Sequence, residues 1–315
     1  MKILLTGITG FVGAALAQHL KAFPQFALYP TFRCSHPDYP QATVVGSIDR
    51  HTDWTTALQG IDTVIHLAAR AHQIKDTAPN PEQAFYEVNT AGTASLVQQS
   101  IEAGVKHFVF ISSIGAMATL SDQVLTADSP CRPDTPYGRS KLAAEQALIQ
   151  QAQGTGMTYT IIRPPLVYGP GNPGNMARLI KLVNTGLPLP LGAIHNRRSL
   201  VALPNLVDLI TTCLTHPAAA NQTFLVSDNE DLSTTDLLRR LAHALDKPAR
   251  LIPIPMVLLQ AAAQVIGKPA LAQRLCGSLQ VDISKTQALL NWSPPVSVDQ
   301  GLRMTALHFQ QSRKR

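Results

Sequence analysis

Apolar and polar positions follow two rhythms along the first half of the chain. Short, nearly unbroken apolar runs at Lys2–Thr6, Ala27–Phe32, Thr43–Val45, Thr63–Leu67, His107–Ser112 and Thr158–Arg163 predict strands covered on both faces. Between them lie longer windows with helical spacing, Phe11–Ala22, Pro81–Ala103 and Pro136–Ala152. Strands alternating with helices of this length predict an α/β fold, a doubly wound parallel sheet of Rossmann type. After about Tyr168 the pattern changes. Pro and Gly crowd positions 169–174, strand-like runs thin out, and helical windows follow at Met176–Asn184, Leu206–Thr215, Thr234–Leu245 and Ser284–Leu290. The expected organisation is a dinucleotide-binding domain over 1–168, to which some later segments return, and a smaller, mostly helical substrate lobe over 169–315.

One apolar stretch stands apart. Ile254 to Gly267 is shorter than the ~20 residues that span a bilayer. Gln260 and Gln264 give it one polar stripe. It reads as a core helix, with a membrane-surface helix as the alternative.

Composition narrows the picture. Hydrophobic residues make up 45% of the chain and charged residues 15%, against roughly 25% charged in ordinary domains, which excludes intrinsic disorder. The net charge of +6 is spread out except at Arg313, Lys314 and Arg315, so no nucleic-acid partner is expected. Four cysteines, Cys34, Cys131, Cys213 and Cys276, have no paired spacing, which argues against a zinc or redox motif and for a reducing, cytoplasmic setting. The opening residues run straight into a glycine turn and read as a first strand, not an export signal. The ten histidines lack metal-ligand spacing, so no metal is expected. His66 and His107 read as residues of buried strands.

Two stretches carry candidate chemistry. The first strand ends in Thr6-Gly7-Ile8-Thr9-Gly10-Phe11-Val12-Gly13, a G-x-x-G-x-x-G turn that opens a helix. Gly7, Gly10 and Gly13 let the backbone approach a pyrophosphate, and the amides around Thr9, Phe11 and Val12 face it at the positive end of the helix. An NAD site commonly carries Asp or Glu at the end of the second strand. Here Thr31-Phe32-Arg33 stands there, and a guanidinium suits a 2′-phosphate. NADP(H) is therefore favoured, with NAD(H) as the alternative.

The second stretch is Tyr137-Gly138-Arg139-Ser140-Lys141. Positions i and i+4 share a helix face, so the phenol and the ammonium point to one cleft. The cation is expected to lower the phenol pKa towards its working range. Ser113 follows an apolar strand, at the carboxyl end where doubly wound folds bind ligands.

With these stretches in view, the sequence resembles the extended short-chain dehydrogenases/reductases of the nucleotide-sugar epimerase/dehydratase family. Further matching segments are His66-Leu67-Ala68-Ala69, Val88–Thr93, Arg163–Gly171 and Leu290-Asn291-Trp292. The resemblance implies Ser113, Tyr137 and Lys141 as catalytic groups, with Tyr137 and Lys141 also on the cofactor. It implies further cofactor contacts at Ser47, Ile48, Leu67, Ala68, Ala69 and Pro164, with Asn89 structural. It implies a UDP-sugar held by Ser113, Asn175, Arg198 and Arg274, and a homodimer.

Three departures from the family pattern stand out, and the first bears on the reaction. The family's 4,6-dehydratases follow the active-site hydroxyl with an Asp-Glu pair, whereas Ser113 precedes Ile114-Gly115, so dehydration is not expected. Leu166 and Ser47 replace an asparagine and an aspartate common among relatives. A 4-ketosugar reductase of surface-polysaccharide synthesis and a sugar 4-epimerase remain, the latter acting on a UDP- or lipid-linked sugar. Arg33 puts the reductase first. A non-catalytic nucleotide-binding sensor or scaffold is the third reading, which the retained Tyr137 and Lys141 disfavour. The segment Ile254–Gly267 and the basic tail leave peripheral membrane contact open.

Overall fold

The computed structural model describes residues 1–70 and 79–312. Strands β1 (Lys2–Thr6), β2 (Ala27–Phe32), β3 (Thr43–Val44), β4 (Thr63–His66), β5 (His107–Ile111) and β6 (Thr158–Arg163) form where the apolar runs predicted them. After β7 (Leu166–Tyr168) and β8 (Arg198–Ala202), β9 (Gln222–Leu225) returns to the first sheet and β10 (Asp231–Leu232) to the second. The first sheet has the order β3-β2-β1-β4-β5-β6-β9, with every pair parallel. The chain steps outward from β1 to β3 and then crosses to β4. The strand order reverses between β1 and β4, and doubly wound folds open their ligand crevice at that reversal.

Side-chain alternation splits the core across the sheet. Ile3, Leu5, Ile65, Val109, Ile111 and Ile162 face one layer. Leu4, Val64, Phe108, Phe110 and Ile161 face the other, with Trp54, Leu96 and Leu148. Helices α1 (Phe11–Leu20), α2 (Pro81–Phe85), α3 (Gly92–Glu102) and α4 (Pro136–Ala152) cover these faces. The predicted helix over Pro81–Ala103 is broken by a wider π turn at Tyr86–Ala91. That turn aims Asn89 at the Arg70 backbone, accepting its N–H at 2.7 Å, while Nδ2 donates to Ser140 Oγ at 3.0 Å.

The second lobe contains α5 (Asn175–Asn184), α6 (Leu203–Cys213), α7 (Thr234–Ala244), α8 (Met256–Val265), α9 (Pro269–Cys276), α10 (Ser284–Leu290) and α11 (Val298–Ser312). Its own core gathers Met176, Leu200, Leu238 and Leu302. Its few short strands, of two to five residues (β7, β8, β10), form a sheet of order β10-β8-β7. One expectation needs correction. The segment Ile254–Gly267 is not a core helix. Only Ala263 of α8 is buried, and Val257, Leu258 and Val265 face outward. Apolar composition alone gives no indication of whether another element covers a helix. Among the described residues no helix is long and apolar enough to cross a membrane.

Candidate active site

The glycine turn between β1 and α1 is built by close approach. Gly7 has φ +75°, and a Cβ there would lie 2.7 Å from Ala68 N. A Cβ on Gly13 would lie 2.1 Å from the Gly7 carbonyl oxygen. Only glycine fits at either position. Helix α1 starts at Gly10 without a side-chain cap or an acidic residue in its first turn. The amides of Phe11, Val12 and Gly13 thus open towards the crevice beside the exposed Thr9, an arrangement that receives anions. These residues fit a dinucleotide pyrophosphate.

Thr6 ties the turn to the neighbouring strand. Its Oγ1 accepts the N–H groups of Leu67 (3.2 Å) and Ala68 (3.1 Å), which holds the 67–69 segment, Ala69 included, against Gly7. With two amides donating to it, the Thr6 hydroxyl donates to His66 Nδ1 at 2.8 Å, so His66 Nε2–H donates to Thr93 at 3.0 Å. Burial lowers the His66 pKa to about 3, and the ring stays neutral and structural.

Arg33 lies just past β2 and is exposed. Ser47 is exposed, and its carbonyl accepts the Thr52 hydroxyl at 2.8 Å. Ile48 packs where a Cβ on Gly92 would come within 2.7 Å of its Cγ2. The Pro164 carbonyl accepts Ile114 N–H at 2.9 Å and so clips the end of β6 to the turn that carries Ser113.

Ser113 and Tyr137 meet because two backbones touch. Thr135 caps α4 by accepting Gly138 N–H at 3.1 Å, and Pro136 opens its first turn. A Cβ on Gly138 would lie 2.1 Å from the Gly115 carbonyl oxygen, so the start of α4 presses on the turn after Ser113. Burial raises the Tyr137 pKa, and a hydrogen bond with Ser113 opposes that rise. The expectation that Lys141 lowers the phenol pKa is therefore corrected. Lys141 donates to the Ile111 carbonyl at 2.7 Å and sits 4.1 Å from the centre of the Phe110 ring, so its charge is engaged at the sheet end.

Desolvation lowers the Lys141 pKa to about 7, against which the Glu145 carboxylate acts. In the unfolded chain the ammonium keeps its ordinary value of 10.5. Between those pH values the unfolded state binds more protons, so stability rises with pH; below about 7 the penalty is constant. We expect Lys141→Met to melt higher than the parent at pH 7 and to lose activity. Its advantage in melting temperature narrows as pH rises towards 10. Parallel melting curves across that window would contradict the buried ammonium.

One helical turn beyond Lys141 lies a buried carboxylate that no sequence motif marks. This residue, Glu145, accepts from Ser112 Oγ and from Arg163 Nε at 3.0 Å. Both Glu145 and Arg163 are buried. The i, i+4 and i, i+8 relation of Glu145 to Lys141 and Tyr137 was the available signal.

In the second lobe, Arg198 opens β8 and is partly buried; its Nη1 donates to the Arg274 carbonyl at 2.7 Å and to the Gly277 carbonyl at 3.4 Å. Arg274 is exposed near the end of α9. Asn175 begins α5, and its side chain lies outside the described residues. Next to Arg198, a cavity of about 400 Å³ is lined by Asn196, His195, Asp122, Met256, Gln260 and Gly277. Arg198 reaches the wall of this space through the Gly277 carbonyl, and Arg274 follows the lining residue Gln273.

A parallel seven-stranded sheet, a glycine turn at the head of its first helix and a Ser/Tyr/Lys cluster across the crevice define a short-chain dehydrogenase/reductase of the extended type. The family described as "NAD dependent epimerase/dehydratase family" matches residues 3–227, and the chain belongs to it. It is 44% identical to a UDP-glucose 4-epimerase of Vibrio cholerae, over 99% of this chain and 97% of that one. It is 29% identical to an N-acetyl-alpha-D-glucosaminyl-diphospho-ditrans,octacis-undecaprenol 4-epimerase of Escherichia coli O157:H7, over 96% and 93%. The fold matches that of UDP-glucuronic acid 4-epimerase from Bacillus cereus in complex with NAD, with a TM-score of 0.79, 22% identity and 99% coverage of both chains.

Proposed function

We propose that this protein is a nucleotide-sugar 4-epimerase that works with NAD(H) in the cytoplasm. The observation that carries the chemistry is the hydrogen bond between the Ser113 and Tyr137 hydroxyls, with Lys141 of the same helix held at the Ile111 carbonyl, two residues before Ser113. Such a pair handles one proton at one sugar hydroxyl. The end-to-end identity with a 4-epimerase supports epimerisation as the net reaction.

The amides of Phe11, Val12 and Gly13, with the 67–69 segment and Pro164 around them, would hold the dinucleotide, which when bound supplies reversible hydride exchange at C4. The chain's own part is the proton. Tyr137 takes the O4 proton as its phenolate when C4 is oxidised and, as the phenol so formed, returns that proton to the developing alkoxide at O4 when C4 is reduced. Ser113 hydrogen-bonds the same oxygen, an interaction that strengthens as negative charge grows there. Lys141 supplies positive charge beneath the site. Arg198 and Arg274 supply cationic groups suited to a sugar diphosphate.

A second reading, a 4-ketosugar reductase using NADPH, rests on Arg33. It stands exposed at the end of β2, where a guanidinium suits a 2′-phosphate. The test is to release and identify the cofactor that co-purifies, then assay the protein with UDP-glucose and UDP-N-acetylglucosamine. Bound NAD with interconversion of C4 epimers is the expected result. NADPH oxidation with a UDP-4-ketosugar and no interconversion would replace the first reading with the second.

A further inference from the structure

Helix α8 turns its apolar side outward. Val257, Ala261 and Val265 form one i, i+4, i+8 stripe, with Leu258 and Ala262 as the next; Val257 is 72% and Val265 88% exposed. Ile252 before the helix and Ile266 after it extend the patch, and Gln260 and Gln264 border it. Single exposed apolar side chains are ordinary, whereas a contiguous patch of this kind marks an interaction surface.

Charge identifies what would cover it. No Asp or Glu occurs from Lys247 to Val281, and none from Gln146 to Val207. The latter span holds α5 and the turn that pairs with the approach to α8, through Leu189 N–H to the Arg250 carbonyl at 2.8 Å. Lys247 and Arg250 lie before the helix and Lys268 after it, all exposed. Nearby carboxylates are Asp246, preceding Lys247, and Asp122, which lines the cavity together with Met256 and Gln260. An apolar stripe with bases at both ends and no acid between them complements an anionic lipid surface. A second copy of the same face would bring like charges together.

We propose that α8 seats the protein on an anionic bilayer, its apolar stripe inserted among the acyl chains and Lys247, Arg250 and Lys268 at the headgroups. The inner side of α8 carries Met256, and Gln260 on its border also lines the cavity beside Arg198. The bilayer would then lie one helix diameter, about 10 Å, from that cavity.

The test is co-sedimentation of the full chain with vesicles of phosphatidylcholine alone and with phosphatidylglycerol added. Binding to the anionic vesicles only is expected. A Val257→Glu/Val265→Glu variant should lose binding about tenfold or more. It should keep the parent's melting temperature and its activity on a water-soluble sugar nucleotide, since both side chains already face water. Three results would overturn the proposal. One is no binding to either vesicle. Another is binding that survives the double variant and is lost only on Lys247→Glu/Arg250→Glu. The third is a concentration-dependent dimer that the valine variant dissociates, which would make a second copy the occupant.

Discussion

Tyr137→Phe is expected to reduce turnover by about 100- to 10,000-fold, the usual share of a positioned proton donor. The change removes one oxygen and leaves the ring, whose edge meets Phe85 at 5.9 Å between centres. The groups around the glycine turn are untouched, so the amount of co-purifying cofactor should equal that of the parent. Measured together, a collapsed kcat and an unchanged cofactor content separate the loss of a proton from the loss of a binding site. A rate within a few-fold of the parent's would remove Tyr137 from the mechanism. Ser113→Ala should have a smaller effect, because it removes a hydrogen bond to the reacting oxygen and not the transferable proton.

Glu145→Ala is expected to be the most destabilising single change near the site. It leaves the buried Arg163 guanidinium without its carboxylate, and breaking a buried pair from one side costs about 3–5 kcal/mol. Denaturant unfolding of the variant against the parent reads this directly. Removing both charges is a different experiment. A Glu145→Met/Arg163→Met variant should recover most of the stability, because two apolar side chains of similar volume cost little where an ion pair had to be desolvated. The double variant should still be impaired in catalysis, since Lys141 then lacks the carboxylate that counters its desolvation. A single variant as stable as the parent would mean that Arg163 finds another partner or reaches water.

The parts of the fold that depend on local sequence were legible before any coordinates. Buried parallel strands must be apolar on both faces, so β1 and β6 end where their apolar runs end. The glycines of the first turn were equally plain, since a missing Cβ at Gly7 and Gly13 is a property of residue type. What escaped depended on partners distant in sequence. Strands β7 and β10, of three and two residues, are too short to carry a period. The outward face of α8 has the same composition as a buried one, and only the absence of a covering element distinguishes them. Lys141 was visible as a cation at the right spacing. Its engagement with the Ile111 carbonyl depends on where β5 ends, and the raised Tyr137 pKa depends on burial by groups distant in sequence.

The late return of β9 also affects how the protein is made. The edge of β6 pairs through Thr160↔Gln222 to Arg163↔Leu225. Beyond that, Thr286 caps the Leu225 carbonyl at 2.6 Å and Trp292 reaches Asp208 at 2.7 Å. Ile3 and Trp292 share one core. A ribosome adding about 5–20 residues per second takes roughly 3–12 seconds to deliver the chain from the end of β6 to the end of β9. Throughout that interval the nascent sheet has an unpaired edge of the sequence Thr-Tyr-Thr-Ile-Ile-Arg, the kind of strand that recruits other chains. Translation speed between β6 and β9 therefore sets how long newly made protein keeps that edge open to aggregation.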